Sequence, residues 1–418
     1  MNLLLKSSIV TLQSSIQISG SKSETNRLLL LQALYPNLIL ENTSNSDDSE
    51  VMIKALENSQ FTNHNSQLID IHHAGTAMRF LTAYFAIQEN REVVLTGSSR
   101  MKERPIKILV DALRQLGAEI NYEENEGFPP IRIKGKKLNQ NKVSLAANVS
   151  SQYISALLLI APKLENGLEL TLEGEITSIP YIKMTLSLLN EIGVKTSFIG
   201  NKITVKNFCL LPSAFCLSVE SDWSSASYFY SIIALSKIGT EITLSSYKEN
   251  SLQGDSALAE IYKEFGVETK FNGNKSISIS KVNNLKLETL NLELNNAPDI
   301  AQTIAVTCFG LGIGCHLTGL QTLKIKETDR LQALKNELEK LGAKVSINDD
   351  SLMLSSPLEG CPKGGVAIKT YQDHRMAMAF APLALKVPIV IEDAEVVSKS
   401  YPAFWSDLKS IGFQMQED

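Results

Sequence analysis

Cysteine is scarce in this 418-residue chain, and what there is has no pattern. The five cysteines, Cys209, Cys216, Cys308, Cys315 and Cys361, form no Cys-x-x-Cys pair, and their odd number speaks against a disulfide framework. A reduced, cytoplasmic protein is expected. Histidine is also rare: His64, His72, His73, His316 and His374 include no His-Glu-x-x-His or His-x-His spacing, so no metal is expected. Long apolar runs are missing. The longest, such as ISALLLIAP, fall far short of the ~20 residues needed to span a bilayer. The N-terminal MNLLLKSSIVTLQSSIQISGSKS has too short an apolar run for a signal peptide; it alternates and reads as strands. Excess positive charge is absent as well. At a net charge of −5 the chain has no global field for nucleic acid or an anionic membrane, and any anionic ligand must be held by local cations. The 44% apolar and 20% charged residues are ordinary for a globular protein, and the length suggests two domains.

What the chain does have is a repeat. A helix ending in an apolar residue, a short gap and then Gly recurs in LVDALRQLGAEI, LSLLNEIGVKT, LAEIYKEFGVET, LKNELEKLGAKV and FWSDLKSIGFQM. The glycines, Gly117, Gly193, Gly266, Gly342 and Gly412, stand at near-equal intervals along the chain. Each is expected to cap an amphipathic helix that feeds a strand. Alternating strands around a turn follow, as in VKTSFIGNKITVKN. A second signal runs in step. A polar start opens a helix that is apolar nearly all round in GTAMRFLTAYFA from Gly75, SSQYISALLLIA from Ser150, SSASYFYSIIAL from Ser224, PDIAQTIAVTCF from Pro298 and DHRMAMAFAPLAL from Asp373. The intervals between these starts agree to within one position and are close to those between the glycines. SKSETNRLLLLQAL from Ser21 adds a sixth copy at a shorter interval, a trimmed first unit. Helices apolar on most faces are buried. The reading is an α/β protein of six βαβαββ units, each a strand, buried helix, strand, amphipathic helix and two more strands.

Six buried helices with polar starts offer six N-terminal dipole ends, each suited to an anion. Cations cluster at these starts. Lys22 and Arg27 open the first helix, and Arg100, Lys102 and Arg104 lie in SSRMKERP before a helix starting at Pro105. Lys326 and Arg330, four apart in IKETDRL, are expected on one helical face. His374 and Arg375 begin another helix, and Lys399 lies in the loop VVSKSYP. Taken singly, Asp373, Ser150 and Asp299 could be no more than helix caps. At equivalent places in six repeats, a polyanion site with Asp299 and Glu327 as acid/base candidates is the better reading.

The motifs GSKSETNR, AGTAMR, SSRMKERP, SSQY, PDIAQTIA, KETDR, DHRMAM and SKSYP, in this order from Gly20 to Pro402, closely resemble the EPSP synthase family of enolpyruvyl transferases. The resemblance implies the two-domain enolpyruvyl transferase fold, an inside-out α/β barrel with three βαβαββ units per domain. One domain would be residues 21–220, carrying much of the shikimate 3-phosphate site, and the other 1–20 with 221–418, the active site lying in the cleft between them. It further implies transfer of the enolpyruvyl group of phosphoenolpyruvate (PEP) to the 5-hydroxyl of shikimate 3-phosphate, with no cofactor and no metal. Shikimate 3-phosphate would be held by Lys22, Ser23, Arg27, Ser150, Ser151, Gln152, Ser178, Tyr181, Asp299 and Lys326. PEP would be held by Lys22, Gly75, Arg100, Gln152, Arg330, Arg375 and Lys399. Asp299 is the implied base toward the hydroxyl, Glu327 the proton donor to the methylene, and Lys22 an aid to proton transfer. The expected partners are the two small-molecule substrates alone, with no nucleic acid, no membrane and a monomeric chain.

The chain departs from the family's usual pattern at His72 and His73, where Gly-Asn is common. It departs again at Phe80, where Pro commonly follows Arg, and at Thr322, where Asn is common. The nearest rival is the enolpyruvyl transferase acting on UDP-N-acetylglucosamine. That enzyme usually has Asn after the first-helix Lys, where Ser23 stands here, and a Cys-bearing active-site loop, whereas no Cys precedes Cys209. A catalytically dead binding module of the same fold is the other alternative. The full set of Lys22, Arg100, Asp299, Glu327, Arg330, Arg375 and Lys399 speaks against it.

Overall fold

The computed structural model describes residues 1–7, 13–58, 67–147, 150–176, 179–208, 213–273, 275–284, 288–356 and 362–417. Ser178, Cys209 and Cys361 lie outside the described residues. The chain forms two compact units, one of Ser21–Val219 and one of Met1–Gly20 with Glu220–Asp418.

Among the described residues each unit holds three sheets, and five of the six sheets have four strands. They share one plan. In the 21–219 unit, Gln67–Asp70 pairs parallel with Glu92–Thr96, Gln67 opposite Val93. Ile131–Lys134 then pairs antiparallel with Glu92–Thr96, and Glu119–Tyr122 antiparallel with Ile131–Lys134. A parallel pair needs a crossover, and helix Gly75–Ala86 supplies it. The sheet from Lys142–Ala146 to Thr196–Ile199 repeats the plan around helix Ser151–Ile160. In the other unit Thr289–Glu293 and Gly314–Thr318 flank helix Ala301–Leu311 in the same way. The amphipathic helices end as their glycines require: Gly117, Gly193, Gly266, Gly342 and Gly412 have φ of 101°, 96°, 70°, 101° and 100°. That left-handed backbone costs a residue with a Cβ more than it costs Gly.

The first unit is trimmed to a two-stranded sheet, and here the pairing departs from a simple tandem repeat. Strand Phe215–Ser218, which precedes helix Trp223–Leu235, pairs with Leu38–Glu41. The place beside Glu241–Ser245 is taken by Gln13–Ile16, Gln13 opposite Glu241. The chain passes from one unit to the other after Gly20 and again after Val219. The strand before each passage stays with the unit it is leaving, so the two repeats exchange first strands. Likewise the N-terminal strand Leu3–Ser7 completes the last sheet, antiparallel to Ile389–Ile391 and Phe413–Glu417.

The helices read as apolar on every side are the centres of the two cores. Four of them are buried along their whole length except for one residue in the first turn. Those residues are Thr76 in Gly75–Ala86, Gln152 in Ser151–Ile160, Ser224 in Trp223–Leu235 and Arg375 in His374–Phe380. Hydroxyls within these helices pair with one another, removing the cost of burying them unbonded. Thr307 donates to Ser231 at 2.8 Å, and Ser227 and Thr303 share a bond of 3.1 Å one turn earlier. No helix of the described residues is long and apolar enough to cross a membrane.

Candidate active site

In the unit of residues 1–20 and 220–418, two central helices and one amphipathic helix bring their starts together. The 3-10 turn Pro298–Ile300 leads into Ala301–Leu311 and carries Asp299. Asp373 caps helix His374–Phe380, its Oδ1 accepting from the Arg375 amide at 2.9 Å. Asp329 caps helix Arg330–Lys340 by accepting from the Gln332 amide. Arg330, only 2% exposed, joins these pieces. Its Nε donates to Asp373 Oδ2 at 2.6 Å, one Nη to Asp299 Oδ1 at 2.8 Å and the other to Glu327 Oε2 at 2.8 Å. A planar guanidinium is the side chain that can serve three carboxylates at once.

Asp299 has further cationic company. Lys326 Nζ lies 3.3 Å from its Oδ1 and an Arg375 Nη 3.6 Å from its Oδ2, while Arg375 also donates to the Asp299 carbonyl at 3.0 Å. Burial alone would raise the Asp299 carboxyl, but Lys326, Arg375 and Arg330 outweigh it and hold the group well below the usual carboxylate range. The same carboxylates raise the basicity of Arg330 against the effect of burial. The Arg375 Nη near Asp299 Oδ2 also donates to the Ser224 hydroxyl at 3.1 Å. Lys399 ends the 3-10 turn Ala394–Lys399, and its Nζ donates to the Gln372 carbonyl at 2.8 Å. Gln372 and Tyr371 both have left-handed backbone, φ 58° and 54°.

In the 21–219 unit three helix starts again carry the polar groups. Lys22 begins helix Lys22–Leu34 and pairs with Asp48 at 3.1 Å. Ser150 caps helix Ser151–Ile160, its hydroxyl accepting from the Gln152 amide, and Ser151 is the first helical residue. The Gln152 side chain donates to Thr76 Oγ1 at 3.2 Å, linking this helix start to that of Gly75–Ala86. Arg27 points inward. It donates to Thr185 Oγ1 at 2.8 Å, Ser155 Oγ at 3.0 Å and the Ser23 carbonyl at 2.7 Å. Its guanidinium lies over the rings of Phe80 and Tyr181, 5.4 and 5.9 Å from their centroids. Burial lowers its pKa to about 10, so it stays charged at neutral pH.

Arg79 staples the second helix start to the SSRMKERP segment, donating to the Gly75 carbonyl at 3.0 Å and the Pro105 carbonyl at 3.1 Å. The Arg104 guanidinium lies against Gly75, where a Cβ would come within 2.5–2.9 Å of it. Arg100 is half exposed and pairs with Glu103 at 3.0 Å.

Some placements differ from those read from the sequence. Lys326 and Arg330 do not share a helical face: the helix begins at Arg330, and Lys326 is extended backbone after the turn Gln321–Ile325. They meet instead at one oxygen of Asp299. The helix expected from Pro105 begins at Lys107, preceded by the short helix Ser99–Lys102. Sequence reasoning misses three participants. Asp373 is a cap and also a ligand of Arg330, and nothing local distinguishes it from an ordinary cap. Thr76 and Ser224 are small hydroxyl residues; their one signal is a place in the first turn of a largely apolar helix. Phe80, buried under Arg27, turns out to be part of that cation's seat.

The sequence model of the family EPSP synthase (3-phosphoshikimate 1-carboxyvinyltransferase) matches residues 7–408. A 3-phosphoshikimate 1-carboxyvinyltransferase of Bacteroides fragilis (strain YCH46) is 46% identical over 411 residues, covering 96% of each chain. Another of the same name, from Shewanella pealeana, is 36% identical over 436 residues, covering 98% of this chain and all of that one. Among solved structures, an EPSP synthase from Acinetobacter baumannii superposes with a TM-score of 0.80 at 20% identity over the full length of both chains, a likeness of fold.

Proposed function

This chain belongs to the EPSP synthase family, and from that membership we propose that it transfers the enolpyruvyl group of PEP to the 5-hydroxyl of shikimate 3-phosphate, releasing inorganic phosphate. The observation that carries the reading is the cluster of Asp299, Lys326, Glu327, Arg330 and Arg375. Two carboxylates and three cations meet there at helix starts. Both substrates carry a phosphate and a carboxylate, which such cations suit.

PEP takes a proton on its methylene carbon, leaving a cationic carbon beside the phosphate ester oxygen. The 5-hydroxyl oxygen bonds to that carbon and gives up its proton. The resulting methyl group then loses a proton as the carbon–oxygen bond to phosphate breaks. Glu327 is the proposed proton donor, Asp299 the base and Lys22 an aid to proton transfer. A base works best with a pKa near the working pH, and the three cations leave Asp299 far more acidic than that. Substrate anions that draw on Lys326, Arg330 and Arg375 weaken this hold. Substrate binding thus raises the basicity of Asp299 when it is needed.

Lys22, Ser23, Arg27, Ser150, Ser151, Gln152, Tyr181, Asp299 and Lys326 are assigned to shikimate 3-phosphate. Lys22, Gly75, Arg100, Gln152, Arg330, Arg375 and Lys399 are assigned to PEP. Arg27 spends three donors within the protein, so its part is a fixed charge with donors to spare rather than an open fork. The setting we assign is the cytoplasm, in keeping with free thiols at Cys216, Cys308 and Cys315.

The test is phosphate release from PEP with each acceptor offered separately. Release that requires shikimate 3-phosphate is expected. Release with UDP-N-acetylglucosamine instead, or with neither, would overturn the proposal.

A further inference from the structure

Behind Arg375 stands a carboxylate that the proposed reaction does not use. Asp255 lies in the 3-10 turn Gly254–Ala257 and is 3% exposed. Its Oδ2 accepts a short hydrogen bond from the Ser224 hydroxyl, and its Oδ1 has no hydrogen-bond partner among the described residues. Ser224 in turn accepts from Arg375 at 3.1 Å and is the one residue of helix Trp223–Leu235 that is not buried. The turn bearing Asp255 is pinned to this helix start by the preceding residue. Gln253 accepts from the Trp223 amide at 2.9 Å and donates to the Ser221 carbonyl at 2.9 Å.

We propose that Asp255 is a positioning residue for the PEP-binding guanidinium: through Ser224 it holds Arg375 aimed at the anion. The inference rests on the assignment of Arg375 to PEP. Without Ser224, the side-chain hydrogen bonds and ion pairs of Arg375 among the described residues all run to Asp299, by way of the carbonyl at 3.0 Å and the carboxylate at 3.6 Å. The guanidinium would then settle onto the proposed base. Ser224 holds the same Nη that lies 3.6 Å from the Asp299 carboxylate, and this second anchor opposes that collapse. A hydroxyl that donates to a carboxylate is polarised and becomes a better acceptor for the guanidinium, so the two bonds strengthen each other. The arrangement is poor for stability. A carboxylate nearly removed from water with one oxygen unbonded costs folding free energy. Burial pushes its carboxyl up to about 6, against the pull of Arg375 and with Asp299 adding to the rise. A group kept only for packing would serve better as an amide.

The experiment compares the full-length wild type with Asp255→Asn, Ser224→Ala, Ser224→Thr, the Asp255→Asn/Ser224→Ala double variant and Arg375→Lys. Steady-state kinetics are run in each substrate, and thermal melting is recorded alongside. Asp255→Asn and Ser224→Ala should each raise KM for PEP roughly three- to tenfold, the range of one lost hydrogen bond. KM for shikimate 3-phosphate should stay at the wild-type value. The double variant should be no worse than Ser224→Ala, and Ser224→Thr should restore PEP binding. The melting temperature of Asp255→Asn should equal or exceed that of wild type. A wild-type KM for PEP in Asp255→Asn and Ser224→Ala overturns the inference, as does a lowered melting temperature with both KM values disturbed. Arg375→Lys separates the two levels of the argument. If it leaves KM for PEP unchanged, the assignment of Arg375 fails and the inference with it. If it raises KM while the Asp255 and Ser224 variants do not, only the inference fails.

Discussion

Arg330 is the joint of its unit's charge cluster, and replacing it tests the cluster as a whole. Three donors at 2.6, 2.8 and 2.8 Å reach Asp373, Asp299 and Glu327. A hydrogen bond to a charged group contributes roughly 1.5–3 kcal/mol. Arg330→Lys keeps the charge, but a single ammonium on a flexible stem cannot reach three carboxylates, and about two of the bonds are lost. Two such bonds sum to roughly 3–6 kcal/mol as an upper bound. Glu327 is 24% exposed and regains water when released, so roughly 2–4 kcal/mol is the working figure. Arg330→Met goes further. Asp373 is 0% exposed and would lose its ion-pair partner without gaining solvent. Removing one member of a buried pair costs about 3–5 kcal/mol, a large part of a typical stability of ~5–15 kcal/mol. In a unit of this size each kcal/mol moves the melting temperature by roughly 2–4 °C. Calorimetry at neutral pH should therefore find the Lys variant melting roughly 4–16 °C early, with the Met variant earlier still. Acidification should narrow the gap for Arg330→Met, since protonated carboxylates no longer need the cation. A Lys variant melting within about 2 °C of wild type would refute the reasoning, because the three short bonds would then contribute nothing net.

Asp299→Asn and Glu327→Gln should keep the fold and most substrate affinity, yet lose ~10²–10⁴-fold in turnover, measured at saturating substrates. Unimpaired turnover in Glu327→Gln would move the proton-donor role to Lys22. Arg100→Ala should leave melting unchanged, because its pair with Glu103 is exposed and such pairs contribute about 0–1 kcal/mol. It should still raise KM for PEP roughly ten- to a hundredfold through a lost charge-assisted bond. Gly75→Ala brings a Cβ to within 2.5–2.9 Å of the Arg104 guanidinium. That flexible side chain can swing away, so kinetics in PEP should change while stability does not. The pH dependence of stability has two limbs of opposite sign. The Asp299 carboxyl is depressed on folding, so its contribution is present above its unfolded value of 3.8 and is lost as pH falls below it. The Asp255 carboxyl is raised from 3.8 to about 6, so the folded state loses roughly 3 kcal/mol as pH climbs through that window. Urea unfolding of Asp255→Asn should lack the second limb and keep the first.

The periodicity alone determined the repeat, the capping glycines and the identity of the central helices, because each follows from short-range chemistry. A helix apolar on all sides must be buried, and an αL cap favours Gly. The cations at helix starts were legible because the repeat locates those starts. Tertiary structure alone decided the rest. Nothing local says that Gln13–Ile16 would pair beside Glu241 and leave Phe215–Ser218 to Leu38–Glu41; that exchange comes from the chain passing between two units twice. Spacing suggests one helical face for Lys326 and Arg330, but what brings them together is Asp299, 31 residues before Arg330. Arg27 reads in sequence as a ligand-facing cation, and only packing turns it inward over Phe80 and Tyr181. Asp373 and Asp255 illustrate the limit most clearly. Each looks in sequence like an ordinary acid near a helix start. What gives them a role is the arginine that each reaches, Arg330 directly and Arg375 through Ser224. Charge partners across long sequence separations are set by how the helices pack. The energy of a buried charge depends on those partners far more than on its sequence neighbours.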